Sequence, residues 1–182
     1  MDISTTPQIV GVAAAAHVDV SQLAMSFEAF YRDHGDPVAR ALAATLSDSE
    51  LAAEATNEAM TRAYQRWNKI SEYDNPAAWV YRVGLNWALS LKQRRRRERD
   101  RPVQLTADQA VLGERDNSLD TALSQLSLDH RSVVVCRIHL DWSVDQTATA
   151  LKIAPGTVKS RLARALEHLR NLLGTEGDQE CS

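Results

Sequence analysis

Between Ser143 and Leu173 the chain carries two helical patterns separated by only a three-residue connection, which leaves few ways for the two helices to pack. Ser143-Val144-Asp145-Gln146 has the spacing of a capping box, in which the serine hydroxyl and the glutamine amide satisfy free backbone N–H groups of a starting helix. That helix is expected to end near Leu151. Lys152-Ile153-Ala154 follows, and Pro155 disfavours helical geometry at Ala154 while suiting the first turn of the next helix. On this second helix Val158, Leu162, Ala165, Leu169 and Leu172 are spaced for one packing face, with Thr157, Ser160, Arg161, Arg164 and His168 on the opposite side. A short helix, a tight turn and a second helix with Thr, Lys, Ser and Arg in its exposed first half is the geometry that fits a major groove, where arginine pairs with guanine edges. An ordinary helical hairpin with a solvated basic face satisfies the same periodicity.

Charge is distributed in blocks. The 182 residues carry a formal net charge of only -3, so overall composition does not mark a nucleic-acid binder. Residues 1–60 hold two basic and nine acidic side chains, net -7, whereas residues 82–101 hold eight basic and two acidic, net +6. Residues 102–130 return to -4, and residues 155–170 reach +3. Two basic blocks flanking an acidic one suggest two contacts with nucleic acid and a connector that avoids it. Two cysteines, Cys136 and Cys181, make no disulfide framework and fit a reducing cytoplasm. Cys136 and His139 lie three apart, but two ligands do not make a zinc site, and no metal or cofactor is expected. The apolar stretch Ile9–Ala16 is too short to span a bilayer and is not preceded by the basic residues of a signal peptide, so no membrane association is expected.

Helical signals also dominate the first half, and strand signals are nearly absent. Phe27, Phe30 and Tyr31 lie on a first helix, and Asp36-Pro37 reads as the cap and first position of a second that ends near Leu46. Ser47-Asp48-Ser49-Glu50 reads as a capping box for a long helix to about Trp67, with Leu51, Ala55, Ala59, Arg62 and Arg66 at roughly helical spacing. On it Glu54, Asn57, Glu58 and Thr61 form a polar strip that a plain solvated face would also explain. Asn75-Pro76 caps a further helix running through Arg94-Arg95-Arg96-Arg97. Its packing face is expected to be Ala77, Val80, Gly84, Trp87 and Leu91; Trp79, Arg82, Asn86, Ser90, Gln93 and Arg97 fall along the other. An exposed tryptophan among arginine and asparagine suits stacking on unpaired bases, with Arg94 and Arg97 of the arginine run tracking phosphates. Packing of Trp79 against the preceding loop, and a merely solvated arginine run, satisfy the same spacing. Trp87 and Tyr64 read as core.

Together these pieces resemble the extracytoplasmic-function (group IV) sigma factors of the sigma-70 family of bacterial transcription initiation factors. The resemblance spans roughly Phe27 to Leu173. It rests on Glu54-Ala55-Thr56-Asn57-Glu58-Ala59-Met60-Thr61-Arg62-Ala63-Tyr64, similar to the family's region 2 helix, and on Asn75-Pro76-Ala77-Ala78-Trp79-Val80-Tyr81-Arg82 with Asn86 and the arginine run. The third piece is Gly156-Thr157-Val158-Lys159-Ser160-Arg161-Leu162 with Arg164-Ala165, which resembles the region 4 recognition helix. The resemblance implies that Glu54, Asn57, Glu58 and Arg62 face the clamp coiled coil of the polymerase largest subunit. It implies that the loop Ser71 to Asn75, with Tyr73 and Asp74, holds a base flipped from the −10 element, and that Trp79, Arg82 and Asn86 assist strand separation. Thr157, Lys159, Ser160, Arg161 and Arg164 would read the −35 duplex. It gives the acidic linker a place in polymerase channels that otherwise carry nucleic acid. Core RNA polymerase and promoter DNA, duplex at −35 and melted at −10, are the implied partners, and an anti-sigma protein is a further one the family allows. The sequence departs from the family pattern at Ala55 and Met60, where leucine and phenylalanine are more usual and looser packing is expected. It departs again at Lys152, a turn position where glycine is favoured because positive φ costs other residues roughly 1 kcal/mol.

The expected architecture is all-α: a flexible extension over 1–22, a region 2-like helical domain over 23–99, a flexible acidic linker over 100–118, a helix-turn-helix domain over 119–173 and a tail over 174–182. The expected function is promoter-specific transcription initiation in a bacterial cytoplasm, without enzymatic activity. A dimeric operator-binding regulator would use Thr157 to Arg164 but leaves the first half unexplained. A recombinase or nuclease would need a catalytic cluster that the sequence does not contain.

Overall fold

The computed structural model describes residues 26–99 and 118–176, and the expected extension, the connector over 100–117 and the end of the tail lie outside them. The described residues are helical, with no strand among them. Helices α1 (Phe27–Leu46), α2 (Ser49–Gln65), the single turn α3 (Trp67–Ile70) and α4 (Pro76–Arg99) make the first half. The second comprises α5 (Ser118–Gln125), α6 (Leu128–Val134), a wide π-type turn over Val135–His139, α7 (Val144–Leu151) and α8 (Pro155–Glu176).

One expectation fails in α1, which is a single helix with Pro37 in its interior. An interior proline costs roughly 3 kcal/mol because it forfeits a backbone hydrogen bond and crowds the preceding turn. Phe30 lies before Pro37, and Val38, Leu42 and Leu46 after it, all buried; burial of each is worth about 1.5–3 kcal/mol, so one uninterrupted apolar face outweighs the break. The expected cap is displaced as well. Ser47 closes α1 in the left-handed region at φ 50°, and Asp48, not Ser47, caps α2 by accepting the Leu51 N–H at 3.0 Å. Only Ser47 and Asp48 separate the two helices, and Ser47 is already committed to ending the first.

α1, α2 and α4 pack around Phe30, Val38, Leu42, Leu51, Val80 and Tyr81. The looser packing expected at Ala55 does not occur. Gly84 of α4 sits so close that a Cβ there would meet Leu42 Cδ1 at 2.8 Å and the Ala55 carbonyl oxygen at 3.1 Å, so two small residues let the helices approach. Met60 is likewise buried. Beneath α8, one small cluster gathers Ala122, Leu126, Val134, Ala165 and Leu169, and another Val133, Ala148 and Val158.

The two helical domains also pack on one another. Val135, Cys136, Trp142 and Ala150 of the second half belong to the same apolar cluster as α1, α2 and α4. Where α6 would have continued, the π-type turn takes over, with the Leu140 N–H reaching the Val135 carbonyl at 3.0 Å. Asp141 then adopts φ 50°, and the buried Trp142 side chain joins that cluster.

Candidate nucleic-acid interface

The helix-turn-helix forms as its spacing requires. Gln146 N–H donates to Ser143 Oγ at 3.1 Å and Ser143 N–H to Gln146 Oε1 at 2.8 Å, closing both bonds of the capping box. Lys152 takes the strained turn position at φ 55°, and α8 begins at Pro155. Val158, fully buried against α6 and α7, and Ala165 and Leu169 further along fix the rotation of α8 about its axis. That rotation leaves Lys159, Ser160 and Arg164 exposed, with Thr157 half-buried beside them. Arg161 behaves differently. Its Nη2 donates to Asp129 Oδ2 on α6 at 2.6 Å, and its side chain is only 27% exposed, so it is drawn back from the outer face.

The second surface is built on the start of α4. Asn75 Oδ1 accepts the Ala78 N–H at 2.9 Å, fixing the junction between the loop and the helix. The loop presents Tyr73 and Asp74 to solvent, with Ser71 half-buried and its hydroxyl directed to the Asn68 carbonyl. Trp79 is half-buried, not exposed as expected: it packs partly on the apolar core and also lines a cleft with the loop. Position 79 lies between the buried Ala78 and Val80, so the packing arc of α4 is wider than the expected stripe and includes Ala78, Tyr81, Leu85 and Ala88. Asn86 is exposed and Arg82 half-buried. Arg94 and Arg97 are exposed further along α4, while Arg95 lies 3.7 Å from Glu54.

The cleft, about 520 Å³, has the loop, Trp79 and Arg82 on one side and Asp145, Gln146 and Thr149 of α7 on the other. Arg82 Nη1 reaches the Thr149 carbonyl at 3.4 Å. Sequence reasoning missed this second wall, because nothing in the spacing of α7 tells which helix of the first half lies opposite.

On α2, Glu54 and Asn57 are exposed, and Arg62 holds Glu58 through Nε and Nη2, each at 2.8 Å. Such an exposed pair is worth well under about 1 kcal/mol and leaves the strip adaptable. Tyr64, expected in the core, is 64% exposed. The signal was present: Asn57, Thr61 and Tyr64 follow at i, i+4 and i+7, so Tyr64 shares the face of the polar strip. Its ring packs edge-on against Phe27, centroids 5.1 Å apart. Trp87 is half-buried against the core.

Several buried polar groups lie between the halves. Tyr81 is fully buried, its hydroxyl 2.8 Å from Thr45 Oγ1, and burial first, then the neighbouring Cys136, raises its phenol well above the ordinary range. Burial pushes the Cys136 thiol up to about 12. His139, by contrast, is exposed, so the two do not face a common site. Arg131 is drawn below its ordinary value by burial, and four hydrogen bonds hold its guanidinium. No described helix is long and apolar enough to cross a membrane.

Two family models match the chain: "Sigma-70 region 2" over residues 30–98 and "Sigma-70, region 4" over residues 116–169. Over 154 residues, 78% of this chain and 85% of the relative, it is 34% identical to the ECF RNA polymerase sigma factor SigL of Mycobacterium tuberculosis. It is 31% identical to SigM of the same organism over 163 residues, covering 88% of this chain and 82% of that protein. The RNA polymerase sigma-E factor of Streptomyces avermitilis is 32% identical over 154 residues, 82% of this chain and 86% of that one. Among solved structures, the sigma factor RpoE in complex with the anti-sigma factor NepR from Bartonella quintana shares the fold with a TM-score of 0.69 and 23% identity, covering 81% of this chain and 96% of that one. CnrH in complex with the cytosolic domain of CnrY aligns with a TM-score of 0.58 and 20% identity, covering 82% and 88%.

Proposed function

As a member of the sigma-70 family, in its extracytoplasmic-function group, the chain directs promoter-specific transcription initiation with core RNA polymerase, and we propose that its two nucleic-acid surfaces divide that work. Lys159, Ser160 and Arg164, with Thr157 beside them, read the −35 duplex. Ser71, Tyr73, Asp74 and Asn75 hold a base of the melted −10 element. Trp79, Arg82 and Asn86 stabilise the opened strand, and Arg94 and Arg97 follow its phosphates. Glu54, Asn57, Glu58 and Arg62 meet core polymerase, and Arg161 acts from beneath the reading face. The factor works as a cytoplasmic, non-catalytic subunit, and an anti-sigma protein of the kind seen with RpoE is a further partner.

The observation that carries this reading is the placement of chemistry. Exposed cationic and hydroxyl side chains stand on the outer face of a helix whose inner face is fixed by Val158, Ala165 and Leu169, which suits base-edge contacts that demand a fixed helix. The aromatic and amide groups stand apart, around a cleft at the start of α4, which suits unpaired bases. Glu58→Lys tests the polymerase face: capture of core polymerase by the variant is expected to fall about tenfold, which at 1.4 kcal/mol per decade corresponds to the loss of a single charged contact. Capture equal to the unsubstituted chain would return the strip to plain solvation.

A further inference from the structure

Within the first half of α8, Lys159 and Arg164 are exposed, whereas the charge of Arg161 is already answered inside the protein. Its Nη2 donates to Asp129 Oδ2 at 2.6 Å, and the arginine side chain is 27% exposed against 64% for the aspartate, so the carboxylate is the more open partner. Asp129 stands in the first turn of α6, behind the Ser127 cap, where a carboxylate also suits the positive end of a helix. Arg131, two residues on, is taken by four hydrogen bonds to Thr45, Ser47, Ser124 and Leu126, so it does not compete with Arg161 for that carboxylate. A guanidinium presents the same planar fork to a carboxylate as to a phosphate. A phosphate that takes Arg161 must therefore displace Asp129 and then lie against its exposed charge. Phosphate contacts add affinity that carries no sequence information, and each steepens the fall of log affinity with log salt by about 0.9.

We propose that Asp129 is a positioning residue that withholds Arg161 from the DNA backbone, lowering sequence-independent binding and leaving recognition to Lys159, Ser160 and Arg164. The inference rests on the reading of α8 as the −35 reader given above. Paired, the two side chains meet the duplex as a neutral unit. A factor with one more phosphate contact gains affinity for promoter and bulk DNA alike, and the far more numerous bulk sites would then hold more of it away from promoters.

The test uses holoenzyme and two labelled duplexes of equal length. One spans the −35 element of a promoter identified by run-off transcription and ends upstream of −10, so that no melting contributes; the other has the −35 sequence scrambled. Asp129→Asn keeps a neutral acceptor for Arg161, so α8 stays joined to α6, but gives up the charge that competes with phosphate. The expected result is binding to both duplexes tightened about fivefold at 50 mM salt, with a salt slope steeper by about one, so that the gain shrinks about threefold by 200 mM. Asp129→Asn added to Arg161→Ala should give no gain over Arg161→Ala alone, and Asp129→Glu, which retains the charge, should keep the slope of the unsubstituted factor. Parallel salt lines for Asp129→Asn and the unsubstituted factor would overturn the inference. So would a gain that persists without Arg161, which makes Asp129 a plain source of repulsion, or a gain confined to the promoter duplex, which makes Arg161 a reader of bases. Arg164→Ala in the same titrations judges the underlying reading by itself: if that variant separates the two duplexes as well as the unsubstituted factor does, α8 is not the −35 reader, whatever the salt slopes show.

Discussion

Arg161 and Arg164 sit three positions apart on α8 and differ in what they touch. Arg164 is exposed, whereas Arg161 is paired with Asp129. Arg164→Ala is expected to cost about 1–3 kcal/mol at one base pair and to relax selection there. Arg161→Ala should instead weaken all −35 sequences alike, because it loosens α8 against α6. Binding to a set of singly substituted −35 duplexes separates the two, and relaxed selection at one position in the Arg161 variant alone would reverse the assignment. The exposed face of α8 was legible from spacing. The Asp129 pairing was not, since its partners are 32 residues apart and no periodicity links them. Burial at Cys136 has its own consequence. Its folded-state pKa of about 12 lies above the roughly 8.5 of an unfolded thiol, so the folded chain keeps a proton that the unfolded chain loses. The associated stability is fully present below about pH 8.5 and declines as pH rises towards 12, and Tyr81 shifts in the same direction. Urea midpoints at pH 8 and pH 10 should fall with pH, and Cys136→Val should reduce the fall; an undiminished fall in Cys136→Val, Tyr81→Phe would exclude this pocket as its source.

Among the elements, α4 depends most closely on its neighbours. Gly84→Ala would drive a methyl group into Leu42 and the Ala55 carbonyl, and the flexible leucine can yield more readily than backbone. Overpacking of this kind costs about 1–3 kcal/mol, and thermal unfolding should show it as a lowered Tm; an unchanged or raised Tm would mean that the helices separate freely. The helices that open at Asn75-Pro76 and at Ser143 were legible, because their caps act within one turn, whereas α3, α5 and α6 were not located. Boundaries were less legible. Asp36-Pro37 has the local signature of a helix start, yet Phe30, Val38 and Leu42 form a face that only a continuous α1 can bury, and tertiary packing overrode the local preference. The same limit explains Trp79: spacing assigned it to the polar face of α4, but the side chain packs partly on the core and lines the cleft.

At the scale of the whole molecule, the order of basic and acidic blocks was enough to suggest two contacts with nucleic acid, and the two basic blocks fall one on each helical half, along α4 and α8. The mutual packing of the halves was not legible. Trp142, Val135 and Cys136 have the hydrophobicity of ordinary core residues, and nothing in sequence says that this core belongs to the other half. Two surfaces with different chemistry predict separable defects in one holoenzyme. Trp79→Ala should leave occupancy of promoter duplex nearly normal and impair opening, whereas Arg164→Ala should impair occupancy first. Permanganate footprinting of unpaired thymines, on a promoter identified by run-off transcription, measures this directly. The expected result is weak −10 reactivity for the Trp79 variant on duplex, with transcription largely restored on a template already melted at −10. Reactivity equal to that of the unsubstituted factor on ordinary duplex would contradict it and make Trp79 a packing residue.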